Sequence, residues 1–183
     1  APREVVSGAV KAARGLPAVS EVLLVGDESA IRQEVDRAGG APGKVSIVHA
    51  SEVVDMAETP ALAVRRKRDS SIGRAVDLLK AGEAQAVVSA GNTGAVVVAS
   101  MLKLRTLEGV ERPAIAAVMP TQRDPFVLID AGASIDCGPS LMADFAVMGH
   151  IYAREILGSA KPLVGLLSIG GEDTKGNETT KEA

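Results

Sequence analysis

Apolar residues recur along the chain in two rhythms. Residues 2–14 place Val5, Val6, Ala9, Val10 and Ala13 at helical spacing and then meet Gly15, which predicts an amphipathic helix. EVLLV (21–25) is a short apolar run ending at Gly26-Asp27, the pattern of a buried strand. Helical spacing returns over 28–38 through Ile31, Val35 and Ala38, and KVSIVHA (44–50) predicts a second strand. A short helix is expected over 60–68. Asp69 or Ser70 can cap the next helix, which runs through Lys80 with Ile72, Val76 and Leu79 facing inward. QAVVSA (85–90) predicts a third strand, and Gly91-Asn92-Thr93-Gly94 leads into a helix ending near Thr106.

The second half changes rhythm. AIAAVMP (114–120) and FVLIDAG (126–132) are strand runs separated by only five residues, a hairpin-like connection. A long helix is expected over about 139–157, with Leu141, Phe145, Met148, Tyr152 and Ile156 at helical spacing. PLVGLLSIG (162–170) predicts a further strand, after which Gly170-Gly171 opens a polar loop. Strands that are apolar throughout and alternate with helices predict an α/β fold, a mostly parallel sheet with helices on both faces. Without repeats or a long linker, residues 1–183 read as a single α/β domain. A helix already under way at Pro2 and another just started by Lys181 lead to the expectation that it is a fragment of a longer chain.

Composition narrows the function classes. Of the 183 residues 46% are hydrophobic and the net charge is −3, which excludes disorder as the dominant state. Aromatics are confined to Tyr152, Phe126 and Phe145, so the core must be aliphatic. An acidic balance and so few stacking rings argue against a nucleic-acid partner. The single cysteine, Cys137, excludes an internal disulfide. No run approaches the ~18 apolar residues a membrane span needs, and a cytoplasmic location is expected.

In such sheets ligands bind beyond the carboxyl ends of the strands. Four predicted ends carry glycine with polar residues: Gly26-Asp27, residues 89–94, residues 130–134 and residues 170–173. SAGNTGA (89–95) fits neither the dinucleotide fingerprint nor the P-loop. Two readings stand for it: an anion site at a helix start, or a tight turn capped by Asn92 or Thr93. The run Arg65-Arg66-Lys67-Arg68 is the one dense basic cluster, able to pair with phosphate or an acidic carrier, or to be a solvated helix face. Asp130 and Asp136 have no histidine near them in sequence, so no metal is expected. Cys137 could be a nucleophile or merely a small residue in a Gly-Pro loop. Residues 170–183 pack Glu172, Asp173, Lys175, Asn177 and Glu178 into one strand-to-helix loop.

Together these segments resemble the bacterial phosphate acyltransferase family of phospholipid synthesis (PlsX). The matching stretches are LVGDE (24–28), IVHASEVVDM (47–56), RRKRDSS (65–71), VVSAGNTGA (87–95), RPAIAAVMPT (112–121), LIDAGASIDC (128–137), FAVMGHIYA (145–153) and GLLSIGGEDTKGNETTKEA (165–183). Family proteins are about twice this length and begin with a glycine-rich loop that would end just before Ala1. Ser134 stands where the family usually has Asn, and Gly138 where a charged residue is common.

The resemblance implies a fold similar to isocitrate and isopropylmalate dehydrogenases and phosphotransacetylases. It implies transfer of a fatty acyl group from acyl carrier protein to inorganic phosphate, with no cofactor, supplying a downstream glycerol-3-phosphate acyltransferase. It further implies a cytoplasmic homodimer in peripheral contact with the membrane. For that reaction Asn92 and Lys175 are the expected catalytic residues. Ser89, Gly91, Thr93, Gly94, Asp130, Gly132, Gly170, Glu172 and Asn177 are expected around the phosphate, and Arg65, Arg66 and Lys67 face the carrier. Two other classes stay in view: a nucleotide-dependent oxidoreductase on the related dehydrogenase fold, and a non-catalytic binding module.

Overall fold

Val6, Val10 and Ala13 recur every three or four residues, and a helix turns all three to one side, where they are buried. The computed structural model, which describes residues 2–134, 136–167 and 176–183, forms this helix as α1 (Pro2–Gly15). The chain divides into two compact units, Ala1–Arg105 and Thr106–Ala183.

In the first unit, β1 (Val22–Gly26) and β2 (Val45–His49) pair in parallel, in register from Val22 opposite Val45 to Gly26 opposite His49. Between them runs α2 (Glu28–Arg37), the crossover a parallel pair requires. Asp27 starts α2 by accepting the Ala30 N–H at 2.7 Å. Val6, Val10, Leu24 and Ile31 form one aliphatic core beneath α1 and α2. Arg14, in the last turn of α1, ties that helix to the end of α2 by donating to the carbonyls of Gly39 and Gly40.

A second core belongs to α3 (Pro60–Arg66), α4 (Ser71–Lys80) and α5 (Thr93–Leu104). Val54, Ala63, Ile72, Val76, Ala95 and Ala99 fill it. Three of these six are alanines, which lets the helices approach closely and leaves little room for a larger side chain. The buried Ser70 caps α4 by accepting the Gly73 N–H, and a parallel bridge joins Glu52 to Ser70.

The second unit carries β3 (Ala116–Met119) and β4 (Phe126–Ile129), an antiparallel hairpin in which Ala116 opposes Ile129. Thr121 closes its loop, accepting from the Arg123 N–H and donating to the Asp124 carbonyl. Helix α6 (Pro139–Ile156) packs on β4 and buries Leu141 and Phe145, while Ile156 at its end is exposed. A short α7 (Glu178–Glu182) follows.

The α/β class holds, but the sheet is smaller than the apolar runs predict. Residues 85–90 form no strand, and Val88 is 95% exposed. Residues 162–167 likewise pair with nothing described; the rest of that predicted strand lies outside the described residues. The ladders among the described residues are one parallel pair and one antiparallel pair. The physical reason is that an apolar run becomes a strand only where a neighbour takes its N–H and C=O groups. No helix among the described residues is long and apolar enough to cross a membrane.

Candidate functional site

Asn92 is the centre of the first unit's polar architecture. It is the N-cap of α5, and its Oδ1 accepts the Ala95 N–H at 3.0 Å. Its amide nitrogen faces the other way and donates to three carbonyls of the loop that leads into α3: Asp55 at 3.1 Å, Glu58 at 3.2 Å and Met56 at 3.4 Å. The residue is only 6% exposed. Both ends of the side chain are therefore engaged with the protein, and they bind two segments into one body.

That arrangement decides what α5 offers outward. The first turn of any helix has four N–H groups without helical partners. Val96 makes the first helical bond, to the Asn92 carbonyl, and of the four amides before it Asn92 Oδ1 satisfies that of Ala95. Among the described residues the amides of Thr93 and Gly94, like that of Asn92 itself, are left without a partner, at the positive end of a twelve-residue helix. Thr93 is exposed, as are Ser89 and Gly91 before it, and Ser89 Oγ accepts the Gly91 N–H at 3.2 Å.

Gly94 has a second task. A Cβ built there would lie 2.6 Å from Pro60 Cγ and 3.2 Å from Pro60 Cβ. The start of α3 thus rests directly on the start of α5. Gly91 differs, since a Cβ there would make only ordinary contacts with Ser89 and Ile72.

Lys67, expected in the carrier patch, turns inward. Its Nζ donates to the Val53 carbonyl at 2.6 Å and to Glu58 Oε2 at 2.5 Å. Arg65, Arg66 and Arg68 remain exposed. The Lys67 ammonium, with a further hydrogen bond from the Asp55 N–H, holds the Glu58 carboxyl below its ordinary value of 4.5. Asp69 is lowered similarly by the Ser51 hydroxyl and N–H, with Arg74 adding to the effect.

A carboxylate whose folded pKa is depressed stabilises the fold above its unfolded pKa and loses that contribution as pH falls through the folded value. Thermal melts should therefore drop as pH falls below about 4.5, and Glu58→Gln should drop less steeply over that window. Parallel pH profiles for the two proteins would show that the Glu58–Lys67 contact carries none of the acid sensitivity.

In the second unit, Asp130 Oδ1 accepts the Ile115 N–H at 2.9 Å, while its Oδ2 is buried without a partner among the described residues. Gly132 adopts φ +89°, a left-handed conformation that L side chains rarely take, and its N–H donates to the Asp130 carbonyl. Asn177 caps α7 by accepting the Thr180 N–H at 2.8 Å. Gly170, Glu172 and Lys175 lie outside the described residues.

Sequence reasoning thus found the α5 start but missed Asp55, Glu58 and Pro60, which hold it. Thr59-Pro60 is a legible helix start, with proline at the first helical position. Nothing in the sequence says that this start meets Gly94. A cleft between α2 and β2, lined by Arg32, Asp36, Ser46 and Ile47 among others, contains none of the expected site residues.

These features define the class as an α/β protein in which Asn92 and Pro60 hold the start of α5. The chain belongs to the family described as fatty acid synthesis protein, whose model matches residues 1–183, and this agrees with the resemblance drawn from the motifs. It is 51% identical over 183 residues to a phosphate acyltransferase of Pelotomaculum thermopropionicum, covering 100% of this chain and 53% of that protein. It is 49% identical over 184 residues to a phosphate acyltransferase of Geobacter sulfurreducens, covering 100% and 52%. A phosphate acyltransferase of Desulforamulus reducens is 50% identical over 180 residues, covering 98% and 53%. The chain spans about half the length of these relatives.

Proposed function

We propose that this chain is the phosphate-binding part of an enzyme that moves a fatty acyl group from acyl carrier protein to inorganic phosphate. The observation that carries the reading is the α5 start: Asn92 is consumed in holding the helix, and the Thr93 and Gly94 amides remain for an anion. Asn92 then acts by positioning those amides rather than by touching phosphate.

In this reading a phosphate oxygen attacks the thioester carbonyl carbon, and the carbonyl oxygen becomes an oxyanion. Collapse breaks the C–S bond and expels the carrier's thiolate, which takes up the proton carried by the phosphate. The products are acyl phosphate and free carrier thiol. Atoms and charge balance without a protein nucleophile or a cofactor. Fixed donors aimed at the oxyanion typically contribute about 3–4 kcal/mol each, and Lys175 is the cation assigned to the developing charge. The acyl phosphate is a mixed anhydride, fit to be consumed by a glycerol-3-phosphate acyltransferase. A cytoplasmic homodimer in peripheral membrane contact completes the proposal.

The test uses the full-length protein with acyl carrier protein thioester and inorganic phosphate, trapping acyl phosphate as its hydroxamate. Saturable, phosphate-dependent product without added nucleotide is expected, and Cys137→Ala should keep most of the activity. A requirement for a nicotinamide nucleotide would return the oxidoreductase reading. A stable acyl adduct on Cys137 by mass spectrometry would overturn direct attack.

A further inference from the structure

Helix α3 is too short to be stable alone, and only one of its faces is used by the core. Ala63 is buried, whereas Leu62, Arg65 and Arg66, at i, i+3 and i+4 spacing, are exposed. The loop leading into the helix adds Val53 and Met56, 65% and 69% exposed. Loop and helix end form one piece of surface, because Lys67 at the foot of α3 is bonded to the Val53 carbonyl.

Charge around this strip is unbalanced. The nearby carboxylates already have partners: Glu58 holds Lys67, Asp69 holds Arg74 and Ser51, Glu52 accepts the Asp69 N–H, and Asp55 accepts the Ala57 N–H. Among the described residues no carboxylate pairs with Arg65, Arg66 or Arg68. Three unpaired guanidinium groups thus stand beside three exposed apolar side chains, on a chain whose net charge is −3.

We propose that this strip is the docking surface for an acidic amphipathic helix of a protein partner. Guanidinium forks recognise discrete carboxylates bidentately, which a diffuse field of lysines does not. Leu62, Met56 and Val53 supply apolar ground on the same strip, and methionine adapts to the ridge it meets. An acidic partner is repelled by the chain as a whole and attracted at this strip, which sets orientation as well as rate. The surface differs from the expected patch of Arg65, Arg66 and Lys67: Lys67 is a strut, and the apolar residues take its place. The other end of α3, Pro60, sits on Gly94, so a partner seated here is delivered beside the α5 start. The inference rests on the proposed reaction only in taking acyl carrier protein as that partner.

The test measures anisotropy of dye-labelled acyl carrier protein with the full-length protein, alongside co-sedimentation with phosphatidylglycerol vesicles. Arg65→Glu with Arg66→Glu should weaken carrier binding by roughly tenfold or more at low salt and flatten its salt dependence. Met56→Ser with Leu62→Ser should weaken it by about fivefold at any salt. Lys11→Glu, exposed on α1, should stay within about twofold of wild type, showing that the effect is local. Unchanged carrier affinity in both double variants overturns the proposal. So does loss of vesicle binding alone, which would make the strip a lipid-facing surface. If binding follows the expected pattern but the wild-type protein makes no acyl phosphate, the docking surface stands and the reaction reading falls.

Discussion

Gly94→Val is expected to lower the melting temperature by about 10 °C and to remove phosphate-dependent turnover. The added Cβ would fall 2.6 Å from Pro60 Cγ, and the proline ring cannot rotate aside because it is closed onto the backbone that starts α3. Relief requires moving α3, and with it Ala63 out of a core shared with Val54, Ile72, Ala95 and Ala99. Overpacking commonly costs 1–3 kcal/mol, and a branched side chain against a fixed ring belongs at or above the top of that range, about 3 kcal/mol. Gly94, expected from the sequence only around the phosphate, therefore also has a packing role against Pro60. Gly91→Ala serves as the control, since its Cβ meets only ordinary contacts and should leave the melt within about 0.5 kcal/mol of wild type. Equal melts for Gly94→Val and wild type would mean that α3 does not rest on α5 in solution.

The second large effect is expected at Asn92. Alanine there removes the helix cap, worth about 0.5–2 kcal/mol, and leaves the carbonyls of Asp55, Met56 and Glu58 without their shared donor. An orphaned polar group adds about 1–3 kcal/mol, so a combined loss near 3 kcal/mol is expected. Asn92→Asp separates the two contributions. It retains the oxygen that accepts from Ala95 and suits the helix dipole, but it turns a second oxygen toward three carbonyls. Chemical denaturation should place it below wild type despite the better cap. An aspartate variant as stable as wild type would show that capping is the whole role of Asn92, and that its tie to the loop contributes nothing.

Much of this was legible in the chain because it is local. Ser70 and Asn92 are short polar residues standing just before apolar helical spacing, and each caps the helix that follows. The hairpin of β3 and β4 follows from two apolar runs with a five-residue connection. What was illegible depends on contacts across the sequence. Lys67 reads as one of four consecutive cations, and only folding reveals that Glu58 and the Val53 carbonyl claim it. Gly94 reads as part of a glycine-bearing turn, yet the atom that forbids a side chain there belongs to Pro60. Residues 85–90 show the converse failure. Their composition predicts a strand, but strand formation is decided by a neighbour that composition does not contain.

The division of the chain also gives its halves different optical labels. Tyr152, Phe126 and Phe145 are all the aromatic residues present, and every one falls in Thr106–Ala183. Near-ultraviolet absorbance and circular dichroism of this chain therefore report on that unit alone. The unit holding the α3–α5 contact is dark at those wavelengths, although its helices contribute fully in the far ultraviolet. In the Gly94 and Asn92 variants, a divergence between the two spectral regions would be the signature of the first unit opening on its own.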